Sequence, residues 1–169
     1  MAEAAIKAPS DIAIVDPRLV DGRQSPVAAR LQRGVRRLLA SLGHVSVTEL
    51  TLASGRRADV VALASDGEIT IIEIKSCLAD FRTDGKWRDY HAYCDRFFFA
   101  VGEDFPLEVL PEDVGLVMAD GYGAAILRPA ERLALPGARR KAVMLRFAQA
   151  AASRLHNLAD PEGAPGTLI

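Results

Sequence analysis

The chain has 169 residues, of which 50% are apolar and 25% are charged, and its formal net charge is −1. This balance is typical of one folded globular domain and excludes collagen-like, disordered and membrane-spanning chains. Cys77 and Cys94 have neither zinc-ligand spacing nor the pattern of a secreted disulfide framework. Because the N-terminus also lacks the apolar run of a signal peptide, the sequence predicts a cytoplasmic protein with no membrane anchor.

Charge is distributed unevenly along the chain. Residues 18–57 carry eight arginines and two acids, whereas residues 103–120 contain acids and no Lys or Arg. Such asymmetry favours attraction of a polyanion to one side of the molecule. The alternative is that solvated surfaces simply happen to be rich in arginine.

Residues 1–24 show no sustained period and predict an extended or poorly ordered lead-in. A single domain is predicted over 25–158. Ser25-Pro26 has the form of a helix N-cap followed by proline, and apolar residues recur at three- and four-residue steps from Val27 to Leu42. This predicts an amphipathic helix that ends at Gly43. Its polar face is either a solvated surface or a phosphate-facing stripe formed by Arg30, Arg33 and Arg37.

Three strand-like segments follow, at 44–52, 58–63 and 68–75, with turn signals between them. They predict an antiparallel meander. A helix beginning near Gly85, with Asp84 as its cap, leads to the almost wholly apolar run 96–101, which predicts a strand buried on both faces.

The rest of the domain is predicted to be a hairpin over 114–119 and 124–128, followed by a closing helix over 141–158. Residues 159–169 are predicted to be a loose tail. The fold class is therefore α/β, with a central mixed sheet flanked by helices.

Two charged residues interrupt the third strand, which ends Glu73-Ile74-Lys75. Residues two apart in a strand point to the same face, so Glu73 and Lys75 project together as a carboxylate–ammonium pair. In a hairpin about Asp66-Gly67, the start of the second strand faces the end of the third, which brings Asp59 near Glu73. Two carboxylates at one end of a sheet favour a shared cation.

Hard cations such as Mg²⁺ or Mn²⁺ take oxygen ligands of this kind and complete their shell with water and phosphate. Asp59, Glu73 and the main-chain carbonyl of Ile74 are the candidate ligands, with Glu49 as a third carboxylate if its side chain faces the same end. Lys75 would then stabilise charge at a phosphodiester under attack. The alternative is a structural cross-strand salt-bridge cluster.

The order of elements, with Asp59 followed after a hairpin by Glu73-x-Lys75, resembles the PD-(D/E)XK nuclease superfamily. More narrowly, the chain resembles the MmcB family of bacterial DNA repair proteins within that superfamily. The segments that carry this resemblance are Arg56-Arg57-Ala58-Asp59, Ile72–Ser76, Asp80-Phe81, Asp84–Trp87, Tyr90 and Asp95–Val101. It departs from the superfamily pattern in having Ala58 in place of proline and no acid in the first helix.

This resemblance implies a restriction-endonuclease-like core and a metal-dependent nuclease in which Asp59, Glu73 and Lys75 form the site. The candidate contacts to DNA phosphates are Arg33, Arg37, Arg56, Arg57 and Lys86. The aromatic side chains of Trp87 and Tyr90 are either core residues or platforms for unpaired bases, and the spacing favours the core. The alternative function is a non-catalytic DNA-binding repair factor, acting with or without a repair-protein partner.

Overall fold

The computed structural model describes residues 25–161, so the predicted lead-in and most of the predicted tail lie outside the described residues. Six strands form one sheet: β1 Val45–Thr51, β2 Arg57–Leu63, β3 Ile69–Lys75, β4 Arg96–Val101, β5 Gly115–Ala119 and β6 Ala124–Arg128. The helices are α1 Pro26–Ser41, α2 Leu78–Thr83 and α3 Gly137–Ala159, with 3-10 turns at Trp87–Tyr93 and Leu107–Val109. The predicted α/β class and mixed sheet are confirmed.

The strands lie side by side in sequence order. The first three form the predicted antiparallel meander, β4 and β5 run parallel to β3, and β6 returns antiparallel. The carboxyl ends of β3, β4 and β5 therefore meet at one edge of the sheet. Ligands of α/β sheets commonly bind outside such an edge.

Helix α1 covers one face of the sheet with Leu31, Val35 and Leu39, each almost fully buried. Ser25 caps it as predicted, because its Oγ accepts a hydrogen bond from the N–H of Ala28 at 3.1 Å. Gly34 is required where α1 meets the β5–β6 turn. A Cβ there would lie 2.3 Å from the carbonyl oxygens of Asp120 and Gly123, closer than any side chain tolerates.

The other face carries the larger core, which α3 and the Trp87–Tyr93 turn cover. Trp87 and Tyr90 are 8% and 4% exposed, and each stacks on Phe97 of β4. The interpretation of these aromatics as core residues is therefore confirmed.

The helix predicted to begin near Gly85 is present as a 3-10 helix that starts at Trp87, but the prediction that Asp84 caps its N-terminus is wrong. The chain forms α2 from Leu78 to Thr83 and a separate 3-10 turn from Trp87 to Tyr93, with Gly85 between them. Asp84 lies at the C-terminal end of α2 and caps no helix N-terminus. The break frees the Asp84 carboxylate for an ion pair with Lys75.

A buried carboxylate secures the other end of β3. Asp95 is 1% exposed, and both of its oxygens accept hydrogen bonds from Arg140 of α3 at 2.6 Å. One of them also accepts the N–H of Ile69, the first residue of β3, at 2.8 Å. Burial would raise the pKa of the Asp95 carboxyl, but these hydrogen bonds outweigh burial and lower it.

Candidate functional site

The two predicted carboxylates lie together where β2 and β3 separate. The backbone pairing of these strands reaches Val60 and Ile72. Beyond that pair, the N–H of Asp59 donates to Oε1 of Glu73 at 3.1 Å, and the N–H of Ile74 donates to Oδ2 of Asp59 at 2.7 Å. Side chains thus replace the backbone ladder and hold both carboxylates in fixed positions.

One oxygen of each carboxylate, Oδ2 of Asp59 and Oε1 of Glu73, accepts these hydrogen bonds. For the second oxygen of each, the part of the chain that the structure describes shows no hydrogen bond. Burial, and then repulsion from Asp59, raise the pKa of the Glu73 carboxyl well above its usual range. Burial also raises the pKa of the Asp59 carboxyl, although the Ile74 N–H and Lys75 oppose the change. The negative charge here is incompletely compensated.

Lys75 shares the cleft with Glu73, as the two-residue spacing predicts, and both side chains are buried. Its Nζ, however, pairs with Oδ2 of Asp84 at 2.7 Å rather than with Glu73. Burial lowers the pKa of the Lys75 ammonium, but the Asp84 hydrogen bond and the nearby Glu73 charge outweigh that effect and raise it. The predicted carboxylate–ammonium pair is therefore corrected to a Lys75–Asp84 pair, with Glu73 as a neighbour.

Glu49 faces the same cleft, which has a volume of about 310 Å³. Its backbone is in the left-handed region at φ 51°, a conformation that a residue other than glycine rarely adopts. Its carboxylate forms an ion pair with Nε of Arg57 at 2.5 Å. Strain of this kind persists only where the surrounding structure enforces it, and such positions cluster at functional sites.

Two further side chains complete the cleft. Asp80 of α2 accepts hydrogen bonds from both the N–H and the Oγ of Ser76, at 3.1 and 3.3 Å. From the first helix, the N-cap Ser25 and Ala28 of α1 also line the cleft. The first helix therefore reaches the cleft without the acid that the superfamily pattern places there. Across residues 25–161, no group of three or more His, Cys, Asp or Glu side chains is arranged to enclose a metal ion.

The predicted phosphate contacts are divided between free and occupied side chains. The side chains of Arg33 and Lys86 are exposed and have no hydrogen-bond or ion-pair partner among residues 25–161. Arg56 pairs with Asp89 at 2.8 Å, and Arg57 pairs with Glu49. Arg37 instead donates to the carbonyl of Tyr122 in the β5–β6 turn at 2.9 Å.

The sequence did not indicate two arginines of α3 that lie along the edge strand β1. Arg146 donates to the carbonyl of Thr51 at 3.5 Å, and Arg154 donates to Oγ1 of Thr48 at 3.4 Å. They flank the part of β1 that carries Glu49. Their positions depend on how α3 packs across the sheet, and nothing in the local pattern of residues 141–158 reports that packing.

The fold and the site together define a class of protein: an α/β chain whose mixed sheet holds a buried carboxylate, a half-buried carboxylate and a buried lysine at an edge formed by strand ends. Residues 15–162 match the family described as DNA repair protein MmcB-like, and the chain belongs to that family. The resemblance to this family noted from the sequence is thereby confirmed.

A solved structure of a protein of unknown function from Silicibacter pomeroyi is similar to this chain. The two are 47% identical and superpose with a TM-score of 0.82 over 86% of this chain and 99% of the other. Comparison with curated proteins gives no match. Within residues 25–161, no helix has the length and apolar character needed to cross a membrane.

Proposed function

We propose that this protein is a divalent-metal-dependent deoxyribonuclease that acts in DNA repair. Its core is proposed to be restriction-endonuclease-like and to belong to the PD-(D/E)XK superfamily. Membership of a DNA repair family supports the biological setting. The observation that carries the chemistry is the Asp59–Glu73 pair, held in place by backbone N–H donors, in which burial raises the pKa of both carboxyls and repulsion from Asp59 raises that of Glu73 further.

The donor set fits Mg²⁺ or Mn²⁺. Each carboxylate has an oxygen left for a ligand, and the main-chain carbonyl of Ile74 directly follows Glu73 in the chain. Such cations are commonly held by one or two carboxylates and take their other ligands from water and substrate phosphate. A bound cation would supply Lewis-acid activation of the phosphodiester. The Glu49 carboxylate is committed to Arg57 and is a candidate third ligand only if that pair opens.

Residues of the chain itself would stabilise the transition state and bind the DNA backbone. Lys75, held as an ammonium by Asp84, would stabilise the charge that develops on the phosphate as water attacks. The bond from the water oxygen to phosphorus forms as the bond to the leaving sugar oxygen breaks, while the attacking water gives one proton to solvent and the leaving oxygen takes one from it. The free side chains Arg33 and Lys86 would bind the backbone on either side, and Arg56, Arg57 and Arg37 would do so after exchanging their present partners.

A non-catalytic DNA-binding repair factor is the second candidate function. The observation in its favour is that no third metal-ligating side chain joins Asp59 and Glu73 among residues 25–161, and that Lys75 is already paired. On this alternative, the cleft is a structural salt-bridge cluster, and the protein recruits other repair proteins to DNA.

Cleavage of labelled single-stranded, duplex and branched DNA with Mg²⁺ or Mn²⁺ tests the proposal. Wild type and Lys75→Ala would be compared at equal folded concentration, verified by circular dichroism. We expect wild type to cut and Lys75→Ala to lose cutting, with DNA binding retained. If neither protein cuts and both bind DNA, the nuclease proposal fails and the non-catalytic function stands.

A further inference from the structure

A second cavity, of about 790 Å³, lies over the carboxyl ends of the parallel strands β3, β4 and β5. Ser76 lines both this cavity and the carboxylate cleft, so the two spaces adjoin. Lys75 immediately precedes Ser76 and projects into the carboxylate cleft. A nucleotide with its phosphate at Lys75 would therefore have the second cavity beside it.

The cavity and the cleft differ in polarity. The cleft is mainly charged, whereas the cavity has apolar walls formed by Val27, Leu78, Phe105 and Leu127. Among the side chains that line the cavity, Arg30 is the one cation, and Glu103 and Asp104 lie exposed at the rim. Asp120 also lines it, but its carboxylate accepts the N–H groups of Tyr122 and Gly123.

This lining suits one part of a nucleotide and not the other. A phosphate would meet two exposed carboxylates and a single arginine, which is unfavourable. A nucleobase has an apolar face, which packs on aliphatic and aromatic side chains, and exocyclic amino groups, which donate to carboxylates. The lining therefore favours the base over the phosphate in the cavity, whereas the carboxylates of the cleft accept the sugar-phosphate chain once they hold the cation of the proposed function.

We propose that the cavity over the ends of β3, β4 and β5 binds an unpaired nucleobase of the strand whose phosphate lies at Lys75. This inference rests on the proposed function and specifies its substrate as single-stranded DNA or an unpaired end. Bases of an intact duplex are stacked and paired, so a base must first leave the helix to enter a lateral cavity, at an energetic cost. A single strand presents its bases without that cost.

The chain offers a matched pair of variants for the test. Leu127 and Ile126 are neighbours on β6 with exposures of 48% and 45%, but only Leu127 lines the cavity. Leu127→Glu and Ile126→Glu therefore add the same charge to the same strand, and only Leu127→Glu places it in the cavity. Neither residue belongs to the carboxylate cleft.

Binding is measured by fluorescence anisotropy with Ca²⁺ in place of Mg²⁺, so that the cleft holds a cation, using a short labelled single strand and the same strand with abasic sugars. We expect wild type to bind the abasic strand about tenfold more weakly, as the loss of one stacked base predicts. Leu127→Glu should bind both strands with the same reduced affinity, and Ile126→Glu should keep the wild-type preference.

Several outcomes would overturn the inference. It fails if wild type binds both strands equally or binds neither, or if Leu127→Glu keeps the base preference. It also fails if Leu127→Glu lowers the molecular mass in solution, because a second copy of the chain would then occupy the cavity. A base preference without metal-dependent cleavage would refute the proposed nuclease activity and support base binding in the cavity. Cleavage without a base preference would support the nuclease activity and refute base binding in the cavity.

Discussion

Strand β3 has a buried carboxylate network at each end, and the two networks are built differently. At its start, Asp95 accepts two hydrogen bonds from Arg140 and one from Ile69, and its carboxyl pKa is lowered. At its end, Asp59 and Glu73 lie side by side with backbone N–H donors, and the pKa of both carboxyls is raised.

The contrast separates a structural role from a functional one. A buried carboxylate that meets a bidentate arginine is complete, and it holds α3 against β3. A largely buried pair of like charges, with Lys75 already engaged by Asp84, is incomplete, and a ligand that brings positive charge would complete it. Changes at the two ends of β3 should therefore have opposite consequences for activity and stability.

The largest expected effect is the loss of cleavage in Glu73→Gln. Glutamine keeps an oxygen to accept the N–H of Asp59 but removes the charge that would hold the cation. We expect metal-dependent cleavage to fall about a thousandfold, since Lewis-acid activation is worth several kcal/mol. The measurement is the rate per folded molecule. If the variant unfolds while Mg²⁺ has no effect on wild type, the salt-bridge alternative is supported instead.

The next effect is on stability at the other end of β3. Arg140→Met would leave the Asp95 carboxylate buried without its arginine and should lower the free energy of unfolding by about 3 kcal/mol. Urea denaturation measures this loss. Arg139→Met is the control, because Arg139 is an exposed neighbour with one 3.2 Å hydrogen bond to the Ala92 carbonyl. Equal losses in both variants would refute the central role of Asp95.

The pH dependence of stability should differ between the two networks. Because the pKa of Glu73 is raised on folding, stability should fall as pH rises from about 4.3 to the raised value. Because the pKa of Asp95 is lowered, its contribution is present above about 3.9 and is lost as pH falls through the folded value.

Urea unfolding in EDTA across this pH range checks both signs. Glu73→Gln should gain stability relative to wild type as pH rises above about 4.3, and Asp95→Asn should lose stability relative to wild type as pH rises toward about 3.9. A difference between Glu73→Gln and wild type that stays constant with pH would contradict the account.

The smallest effects concern the arginines along β1. Arg146→Gln and Arg154→Gln should each weaken DNA binding a few-fold. Each should also reduce the slope of log affinity against log salt concentration by about one, the value for one phosphate contact. Titrations at several salt concentrations measure the slope. Arg132→Gln is the control, because Arg132 lies near Glu68 at the opposite end of β3. If all three variants change the salt slope equally, the DNA does not follow a specific path along β1.

Most of the fold follows from local pattern. Strand β4 was predicted at its observed bounds because an almost wholly apolar run flanked by polar residues has few alternatives. The helix near Gly85 was predicted close to its observed start at Trp87, but the cap was wrong because Asp84-Gly85 matches an N-cap signal, whereas in the structure Asp84 ends α2 and binds Lys75.

The site was predictable only in part, for the same reason. The juxtaposition of Asp59 and Glu73 follows from strand register, which the sequence defines through the Asp66-Gly67 turn. The partner of Lys75, the strained backbone of Glu49 and the arginines of α3 depend on contacts between residues distant in sequence. Periodicity carries no information on such contacts.

The central claim is that the carboxylates at the end of β3 are incomplete without a cation. Thermal unfolding of wild type and Glu73→Gln at neutral pH, with EDTA or with Mg²⁺, tests it independently of any cleavage. A ligand that binds only the folded state raises its stability, so we expect Mg²⁺ to raise the Tm of wild type by several degrees and to leave Glu73→Gln unchanged. No shift in wild type, or equal shifts in both proteins, would contradict the claim.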